Sequence, residues 1–381
     1  MRPAETESAE SPWVLQFCHG YDGPFLDCAR QYAALFSATR YKVCTVYLTG
    51  RPSREVEQGS ASDEVIFLDY RSRDIRGLKL GAIRDIRRIA ASRDFRLCIA
   101  HRFKPAYVAL LGTRLPVIAV HHGFGDYKRL SRRLFANLYR KRLALLGVSN
   151  AVRDEMRACL PVWPAERIET LYNRIDMAAV QAEQVSRVEA REFLGLPQDV
   201  WVVGNVGRLH PDKDQATLIR GFAQALPQLP AGSLLAIMGS GRLEEPLKAL
   251  VGELAVAEQV RFLGQVPHGR RYFKAFDVFA LTSDHEPFGM VLLEAMAAGV
   301  PLISSDCGGA SEVVARGGQL FPFGDASALA KELCDAADRT PLQGELCVRR
   351  MVERLQDCFS DAAGCREFWR LPMVRTLLQA E

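Results

Sequence analysis

The sequence predicts an α/β protein made of two doubly wound domains. Short apolar runs alternate with amphipathic helical patterns, which is typical of strands in a parallel sheet that helices cover on both faces. The alternation occurs as two successive series, separated near residues 176–191. A chain of 381 residues is also too long for a single domain of ~150 residues. Two βαβ series therefore imply two doubly wound domains with a cleft between them.

Each series contains five predicted strands, and each strand is followed by a polar turn or an amphipathic segment. The first series comprises residues 13–19, 42–48, 64–70, 96–101 and 115–122. The second series comprises residues 200–209, 232–241, 259–266, 277–283 and 300–306. The final stretch, residues 346–378, reads as helices.

The composition favours an ordinary folded protein, with 48% hydrophobic and 25% charged residues. A net charge of +4 gives no indication of a nucleic-acid partner. The ten cysteines form no CxxC pair and no zinc-ligand spacing, so we expect reduced, mostly buried thiols. The first residues are polar and acidic rather than signal-like, and no apolar run reaches the ~18 residues of a membrane span. We expect a cytoplasmic protein.

The segment "DHEPFGMVLLE", residues 284–294, follows a predicted strand and leads into a helix that Gly299 should end. Glu286 would lie at the carboxyl edge of the sheet, where ligands of open α/β sheets bind. The N–H groups around Phe288, Gly289 and Met290 would begin the helix and suit a pyrophosphate.

Glu294 follows Glu286 by eight residues, or ~12 Å if the rise were helical throughout. That distance would let one carboxylate hold the sugar and the other the ribose of a nucleotide-diphosphate sugar. The alternative is that Glu286 caps the helix and Glu294 is solvated. The apolar neighbours of Glu294 favour a bound partner for its carboxylate.

Several motifs together resemble one family. "EPFGMVLLEAMAAGVP" matches the pattern E-x-F-G-x4-E-A-x-A-x-G-x-P, "NVGRLHPDKD" is similar to G-R-L-x-x-x-K, and "GVSNAVRDEM" and "LYNRID" also fit. In this order the motifs resemble the retaining glycosyltransferases of the GT-B fold, glycosyltransferase family 4. The resemblance covers roughly residues 115–320.

The resemblance implies two Rossmann-like domains that face each other across a cleft. Residues 1–183 would form the acceptor-side domain, residues 184–359 the nucleotide-sugar domain, and residues 360–381 would pack back on the first domain. The implied reaction moves a hexose from a UDP- or GDP-sugar to a hydroxyl of a glycan or a lipid-linked envelope acceptor, with retention. No metal and no other cofactor are expected.

The resemblance also assigns roles to residues of the second series. Arg208 and Lys213 match the basic pair that neutralises the donor diphosphate, and surface cations are the alternative. Glu286 would bind the donor sugar and Glu294 the ribose. Backbone around Gly239, Gly241 and Val266 would approach the nucleotide. For the two glycines, a simple turn is an equal alternative.

In the first series the resemblance is looser. Gly23, or Gly20, would let the backbone approach the donor phosphates. His122, rather than His121, would contact the transferred sugar or the acceptor, and a structural role is the alternative for either histidine.

Two basic stretches bear on the acceptor. Residues 128–142 contain seven basic and no acidic residues, interleaved with apolar residues at helical spacing, and residues 71–93 are similarly basic. Such helices lie on anionic lipid or recruit a phosphorylated or lipid-linked acceptor, whereas a solvated helix face is the alternative. We therefore expect peripheral contact with the inner face of a membrane.

Two rival functions remain at this level. A nucleotide-sugar epimerase on the same fold would form an epimer or free sugar without an acceptor. A non-enzymatic basic protein would bind lipid or nucleic acid and would not bind a nucleotide diphosphate saturably.

Overall fold

The computed structural model describes residues 11–379. Two parallel sheets organise it, one of seven strands in the order β3-β2-β1-β4-β5-β6-β7 and one of six in the order β10-β9-β8-β11-β12-β13. The strands of the first sheet are β1 Trp13–Cys18, β2 Lys42–Tyr47, β3 Glu64–Phe67, β4 Phe95–His101, β5 Val117–His121, β6 Leu143–Gly147 and β7 Ile168–Thr170. The strands of the second are β8 Val202–Val206, β9 Leu234–Met238, β10 Val260–Gly264, β11 Val278–Leu281, β12 Leu302–Ser305 and β13 Gln319–Phe321.

Helices connect the strands and continue beyond the second sheet. Those of the amino-terminal half are α1 Phe25–Ala34, α2 Arg54–Gly59, α3 Leu80–Ala91, α4 Phe103–Gly112, α5 Leu130–Tyr139, α6 Asn150–Cys159, α7 Met177–Glu183 and α8 Arg187–Leu194. The others are α9 Gln215–Ala225, α10 Glu244–Glu253, α11 Met290–Ala297, α12 Gly308–Val314, α13 Ala326–Ala337, α14 Pro341–Phe359, α15 Asp361–Arg370 and α16 Pro372–Gln379.

All ten predicted strands are present, and both sheets are parallel as expected. The prediction of two doubly wound α/β domains is therefore confirmed. Three strands had no prediction: β6, β7 and β13. β7 and β13 have three residues each, which is too short for a recognisable pattern of apolar residues. β6 is fully buried, but it follows the basic helix without a clear turn signal.

The described chain divides into two compact units. The first contains the residues up to Leu171 and those from Gly364 onward, and the second contains Tyr172–Ala363. The first border lies earlier than the predicted 183/184 because α7 packs with the second unit. There the Gln181 amide donates to the carbonyl of Ala297 at 3.1 Å, and Glu183 pairs with Arg270.

From Gly364 onward, the last two helices pack on the first unit. The aromatic ring of Phe36 contacts those of Phe368 and Trp369, each at a centroid distance of 5.6 Å. The Trp369 indole N–H also donates to the carbonyl of Leu35 at 3.0 Å. Aromatic burial and a satisfied indole together explain why this segment returns to the first unit.

The polar start of the chain, which suggested no signal sequence, lies largely outside the described residues. Within residues 11–379, no helix combines the length and apolar character that a membrane crossing requires. The ten cysteines are free thiols, as predicted. Burial raises the pKa of Cys44 to about 12, so this thiol stays protonated.

Candidate functional site

Lys213 and Glu286 meet at the centre of the carboxyl edge of the second sheet. Lys213 follows β8 and Glu286 follows β11, and these strands are neighbours although β9 and β10 separate them in sequence. Such a reversal of strand order is where open α/β sheets bind their ligands. The Lys213 ammonium lies 2.5 Å from the Glu286 carboxylate, and the two side chains are only 19% and 12% exposed.

The loop after β11 is held in place by hydrogen bonds to its neighbours. The Thr282 hydroxyl donates to the carbonyl of Lys213 at 2.9 Å, and the N–H of Asp284 donates to the carbonyl of Asp212 at 3.1 Å. The Ser283 hydroxyl donates to the Glu286 carboxylate at 3.3 Å. Glu286 therefore occupies a position that two strand-end loops determine jointly.

Helix α11 begins directly after this loop. Its N-cap Gly289 has a φ of +95°, a left-handed conformation that favours glycine, and no side chain caps the first turn. The Phe288 side chain is buried against Tyr172 and Phe359, so only its backbone is available to a ligand. The uncapped first turn retains N–H groups that suit an anion.

The end of α11 follows the prediction for Gly299. The N–H of Gly299 donates to Met296 and that of Val300 to Ala295, which is a Schellman arrangement. Glu294 lies on α11 and is half-buried. The segment from Glu286 to Glu294 is not helical throughout, because the left-handed Gly289 delays the helix until Met290. The estimate of ~12 Å, which assumed a continuous helix, therefore does not apply.

Arg208 lies in the same loop as Lys213 but is far more exposed. Its side chain is 72% exposed and lies 3.5 Å from the Asp212 carboxylate. The carbonyl of Arg208 accepts a hydrogen bond from the Gln215 amide at 3.0 Å, so the backbone is fixed while the guanidinium remains at the surface.

Asp212 and Asp214 form an Asp-x-Asp pattern around Lys213, in the loop after β8. The Asp214 carboxylate caps α9 by accepting from the N–H of Thr217 at 3.3 Å. Asp212 contacts His210, and hydrogen bonding and nearby cations lower the pKa of its carboxyl although burial opposes this. Within the described part of the chain, no group of three or more His, Cys, Asp or Glu side chains is arranged to hold a metal.

Gly239 and Gly241 let two loops pack closely. A Cβ on Gly239 would lie 1.9 Å from the carbonyl oxygen of Gly207, and one on Gly241 would lie 2.4 Å from that of Leu209. Both glycines are thus required by backbone contact with the loop that carries Arg208. Val266 is half-buried just beyond β10, at the same edge of the sheet.

The two adjacent histidines after β5 have different surroundings. His121 is fully buried, and its ring contacts the Asp126 carboxylate at 2.7 Å and the Tyr127 hydroxyl at 3.1 Å. His122 is half-buried and lines a cavity of about 330 Å³. Its ring nitrogens lie 3.0 Å from His101 and 4.0 Å from the Cys28 sulfur. Of these two, His121 is enclosed by buried contacts, and His122 lines the cavity.

Burial lowers the pKa of His122 well below its usual range, and His101, Arg102 and His121 lower it further. The imidazole is therefore neutral at pH 7. Gly23 lies before α1 with a φ of +62° and open space around its Cβ position.

Three further residues of this cavity escaped the sequence analysis: His19, Arg102 and Lys104. His19 directly follows β1, and Arg102 directly follows β4. A search for polar residues after the predicted strand 96–101 would have found Arg102 and Lys104, whereas His19 lies inside the predicted strand 13–19 and follows β1 only in the structure. Arg102 has a φ of +74° and a ψ of 166°, a region used almost only by glycine, at a cost of ~1–3 kcal/mol.

The basic stretch at 128–142 is only partly a solvated surface. The Arg142 guanidinium donates to the carbonyls of Leu110, Thr113 and Leu115 at 2.8–3.0 Å. These carbonyls lie at and just beyond the carboxyl end of α4. Arg132 pairs with Asp126. Both arginines therefore hold the fold. In the other basic stretch, residues 71–93, only Leu80–Ala91 form a helix, α3.

Comparison with known proteins agrees with this architecture. Two protein-family models match the chain. The family "Glycosyl transferases group 1" matches residues 186–345, and the family "Glycosyltransferase Family 4" matches residues 29–179. The crystal structure of Anabaena Alr3699/HepE in complex with UDP and glucose has a TM-score of 0.74 at 21% identity, over 93% of this chain and 98% of that one. This likeness shows the fold, which is GT-B.

Curated relatives match parts of the chain. A D-inositol 3-phosphate glycosyltransferase of Streptomyces avermitilis is 35% identical over 45% of this chain and 39% of its own length. The N-acetyl-alpha-D-glucosaminyl L-malate synthase of Bacillus anthracis is 28% identical over 66% and 65%. The chain spans less than half the length of several curated relatives that it matches. With family models matching both halves and the motif around Glu286 in place, the chain belongs to glycosyltransferase family 4.

Proposed function

We propose that the protein transfers a hexose from a nucleotide-diphosphate sugar to a hydroxyl group with retention of configuration and without a metal ion. One observation carries the proposal. The Lys213 ammonium and the Glu286 carboxylate meet at the strand-order reversal of the second sheet, beside the uncapped start of α11. This arrangement offers one group for a diphosphate, one for sugar hydroxyls and backbone N–H groups for the remaining phosphate charge.

The proposed reaction breaks the bond between the anomeric carbon and the diphosphate oxygen, whose electron pair leaves with the nucleotide diphosphate. The acceptor oxygen bonds to the same carbon, and its proton passes to the departing phosphate oxygen. Arg208 and Lys213 neutralise the leaving charge, so the transition state gains more from them than the ground state does. Glu286 binds the sugar hydroxyls and Glu294 the ribose.

The neutral His122 would contact the transferred sugar or the acceptor. One of its nitrogens is bound by His101, whereas the other has only the weak contact to the Cys28 sulfur. That second nitrogen, which has the weaker contact, would exchange its partner for a sugar hydroxyl.

The donor can be identified by thermal stabilisation. The structural neighbour from Anabaena was solved in complex with UDP and glucose, which supports a nucleotide-diphosphate hexose as the donor here; UDP and GDP are the two bases to test. We expect one nucleotide sugar, at ~100 times its dissociation constant, to add ~2.7 kcal/mol to the free energy of unfolding. No stabilisation by any nucleotide sugar or nucleotide diphosphate would contradict the proposal. Epimer or free sugar formed without an acceptor would favour the epimerase.

We also propose that the acceptor is a lipid-linked or envelope glycan reached at the inner face of a membrane. Leu130, Leu134 and Leu138 form a stripe on α5, and their side chains are 60–76% exposed. On the adjacent face of the helix, Phe135 packs on Tyr107 at a centroid distance of 4.8 Å. A merely solvated helix face would carry polar residues in place of the leucines.

More exposed leucines and cations surround this stripe. Leu78 and Leu80 are 67% and 69% exposed, and Lys79 between them contacts the Tyr107 ring at 4.7 Å. Arg129, Arg140 and Lys141 are exposed around α5. Exposed leucines next to cations favour an anionic lipid surface.

Changing Leu130, Leu134 and Leu138 together to Gln should lower binding to phosphatidylglycerol vesicles by at least ~10-fold, because each leucine loses its transfer into the apolar layer. The control variant changes the exposed Leu342 and Leu346, on α14, to Gln. Co-sedimentation at low salt measures the effect. Equal binding of both variants, or a wild type that ignores these vesicles, would contradict the membrane contact.

A further inference from the structure

The cavity that His122 lines lies at the carboxyl edge of the first sheet. Its walls come from the residues that follow β1, β4 and β5, which are three adjacent strands. The order reverses between β1 and β4, so this cavity occupies the strand-order reversal of its own sheet. Its volume of about 330 Å³ lies in the range of small-molecule sites.

The walls of the cavity carry more positive than negative charge. Arg102, Lys104 and Arg132 provide three cations, and Asp126 is the carboxylate among the lining residues. Asp126 already pairs with Arg132 and contacts His121. Among the residues that the structure describes, neither Arg102 nor Lys104 forms an ion pair. In the described part of the chain, these two cations of the cavity therefore have no carboxylate at ion-pair distance.

The positions of these cations are costly to the folded protein. The Arg102 guanidinium lies 3.8 Å from the centroid of the Phe25 ring, on a backbone conformation that glycine alone adopts readily. Burial lowers the pKa of Lys79, which Lys104 and Arg132 lower further, so the cations repel one another. Burial with Lys104 and Arg102 lowers the pKa of His19 to about 4. Strain and like-charge repulsion at a cavity wall indicate a site built for a ligand.

We propose that this cavity binds an anionic group of the acceptor, a phosphate or a carboxylate, through Arg102 and Lys104. The inference rests on the proposed function, because it names the chemical class of the acceptor in that reaction. The helix α4 begins at Phe103 without a side-chain cap, so its first N–H groups add to the attraction. Arg102 supplies a planar fork for two anion oxygens, and Lys104 supplies a compact charge.

Calorimetric titration at low salt tests the proposal with glucose 6-phosphate, succinate and neutral glucose as probes. We expect saturable binding of glucose 6-phosphate, of succinate or of both, and none of glucose; the pair of anions distinguishes a phosphate site from a carboxylate site. Lys104→Gln should weaken anion binding by ~10-fold, since it removes one charge-assisted contact. Lys331→Gln, which removes an exposed lysine of α13, should leave binding unchanged.

A second variant guards against a folding defect. Arg102→Gly removes the charge and relieves the backbone strain, so it should lose anion affinity while its unfolding temperature does not fall. If neither anion binds the wild type saturably, or if Lys104→Gln and Arg102→Gly both bind as the wild type does, the proposal is overturned.

Titration with UDP and GDP separates this proposal from the proposed function. Lys104→Gln should bind the nucleotide diphosphate as the wild type does, and Arg208→Ala should still bind glucose 6-phosphate. Loss of anion binding in Arg208→Ala alone would assign the anion to the donor site and refute the acceptor assignment. A protein that binds glucose 6-phosphate but neither nucleotide would refute the proposed function instead.

Discussion

Turnover should fall by at least ~100-fold when Lys213 or Arg208 is replaced by Ala, while the fold survives. Each substitution removes a charge-assisted contact to the leaving diphosphate, and such a contact is strongest where the negative charge develops. Initial rates at saturating donor measure the effect. Arg220→Ala, which removes an exposed cation of α9, is the matched control and should retain full turnover.

Lys213→Ala also leaves the mostly buried Glu286 carboxylate without its cationic partner. An unpaired buried charge destabilises the protein, so a lower rate alone would not distinguish a lost phosphate contact from a distorted loop. The double variant Lys213→Met with Glu286→Gln removes both charges and keeps their volumes. We expect its stability to recover towards that of the wild type while turnover stays at least ~100-fold low. Wild-type rates in both single variants, Lys213→Ala and Arg208→Ala, would remove the anion-binding role.

The second large effect separates the two carboxylates of the 284–294 segment. Glu286→Gln should slow transfer by ~100-fold or more yet leave the affinity for the free nucleotide diphosphate nearly intact. Its contacts to the sugar matter most as positive charge develops at the anomeric carbon, so they act mainly in the transition state. Glu294→Gln should weaken binding of both nucleotide diphosphate and donor by ~10-fold, because both ligands carry the ribose.

Calorimetric titration of each variant with the nucleotide diphosphate, beside its transfer rate, measures this division. Glu253→Gln, which neutralises an exposed carboxylate at the end of α10, is the matched control and should change neither quantity. Equal loss of nucleotide affinity in the Glu286 and Glu294 variants would refute the division of roles. Unchanged rates in both would refute the glycosyltransferase proposal.

Local patterns predicted much of the second unit. The loop after β11, the helix that begins at Met290 and the left-handed Gly299 that ends it depend on residues close in sequence. The glycines at strand ends also predicted tight turns. In the structure, Gly239 and Gly241 are needed because their backbone packs against the neighbouring loop. The orientation of the basic helix α5 could not be predicted, because the helical period identifies its apolar residues but not which of them pack inward. Phe135 faces aromatic neighbours, and Leu134 is exposed.

The sequence by itself determined the alternation of strands and helices, the two sheets and the motif that identifies the family. These follow from local propensity and from periods of 2 and 3.6 residues, which every short segment displays on its own. Only the tertiary structure decided which strand ends are neighbours. That decision joins Lys213 to Glu286, separates the structural His121 from His122, and collects Arg102 and Lys104 in one cavity. The physical reason is that strand order depends on contacts between residues distant in sequence, whose partners no local pattern specifies.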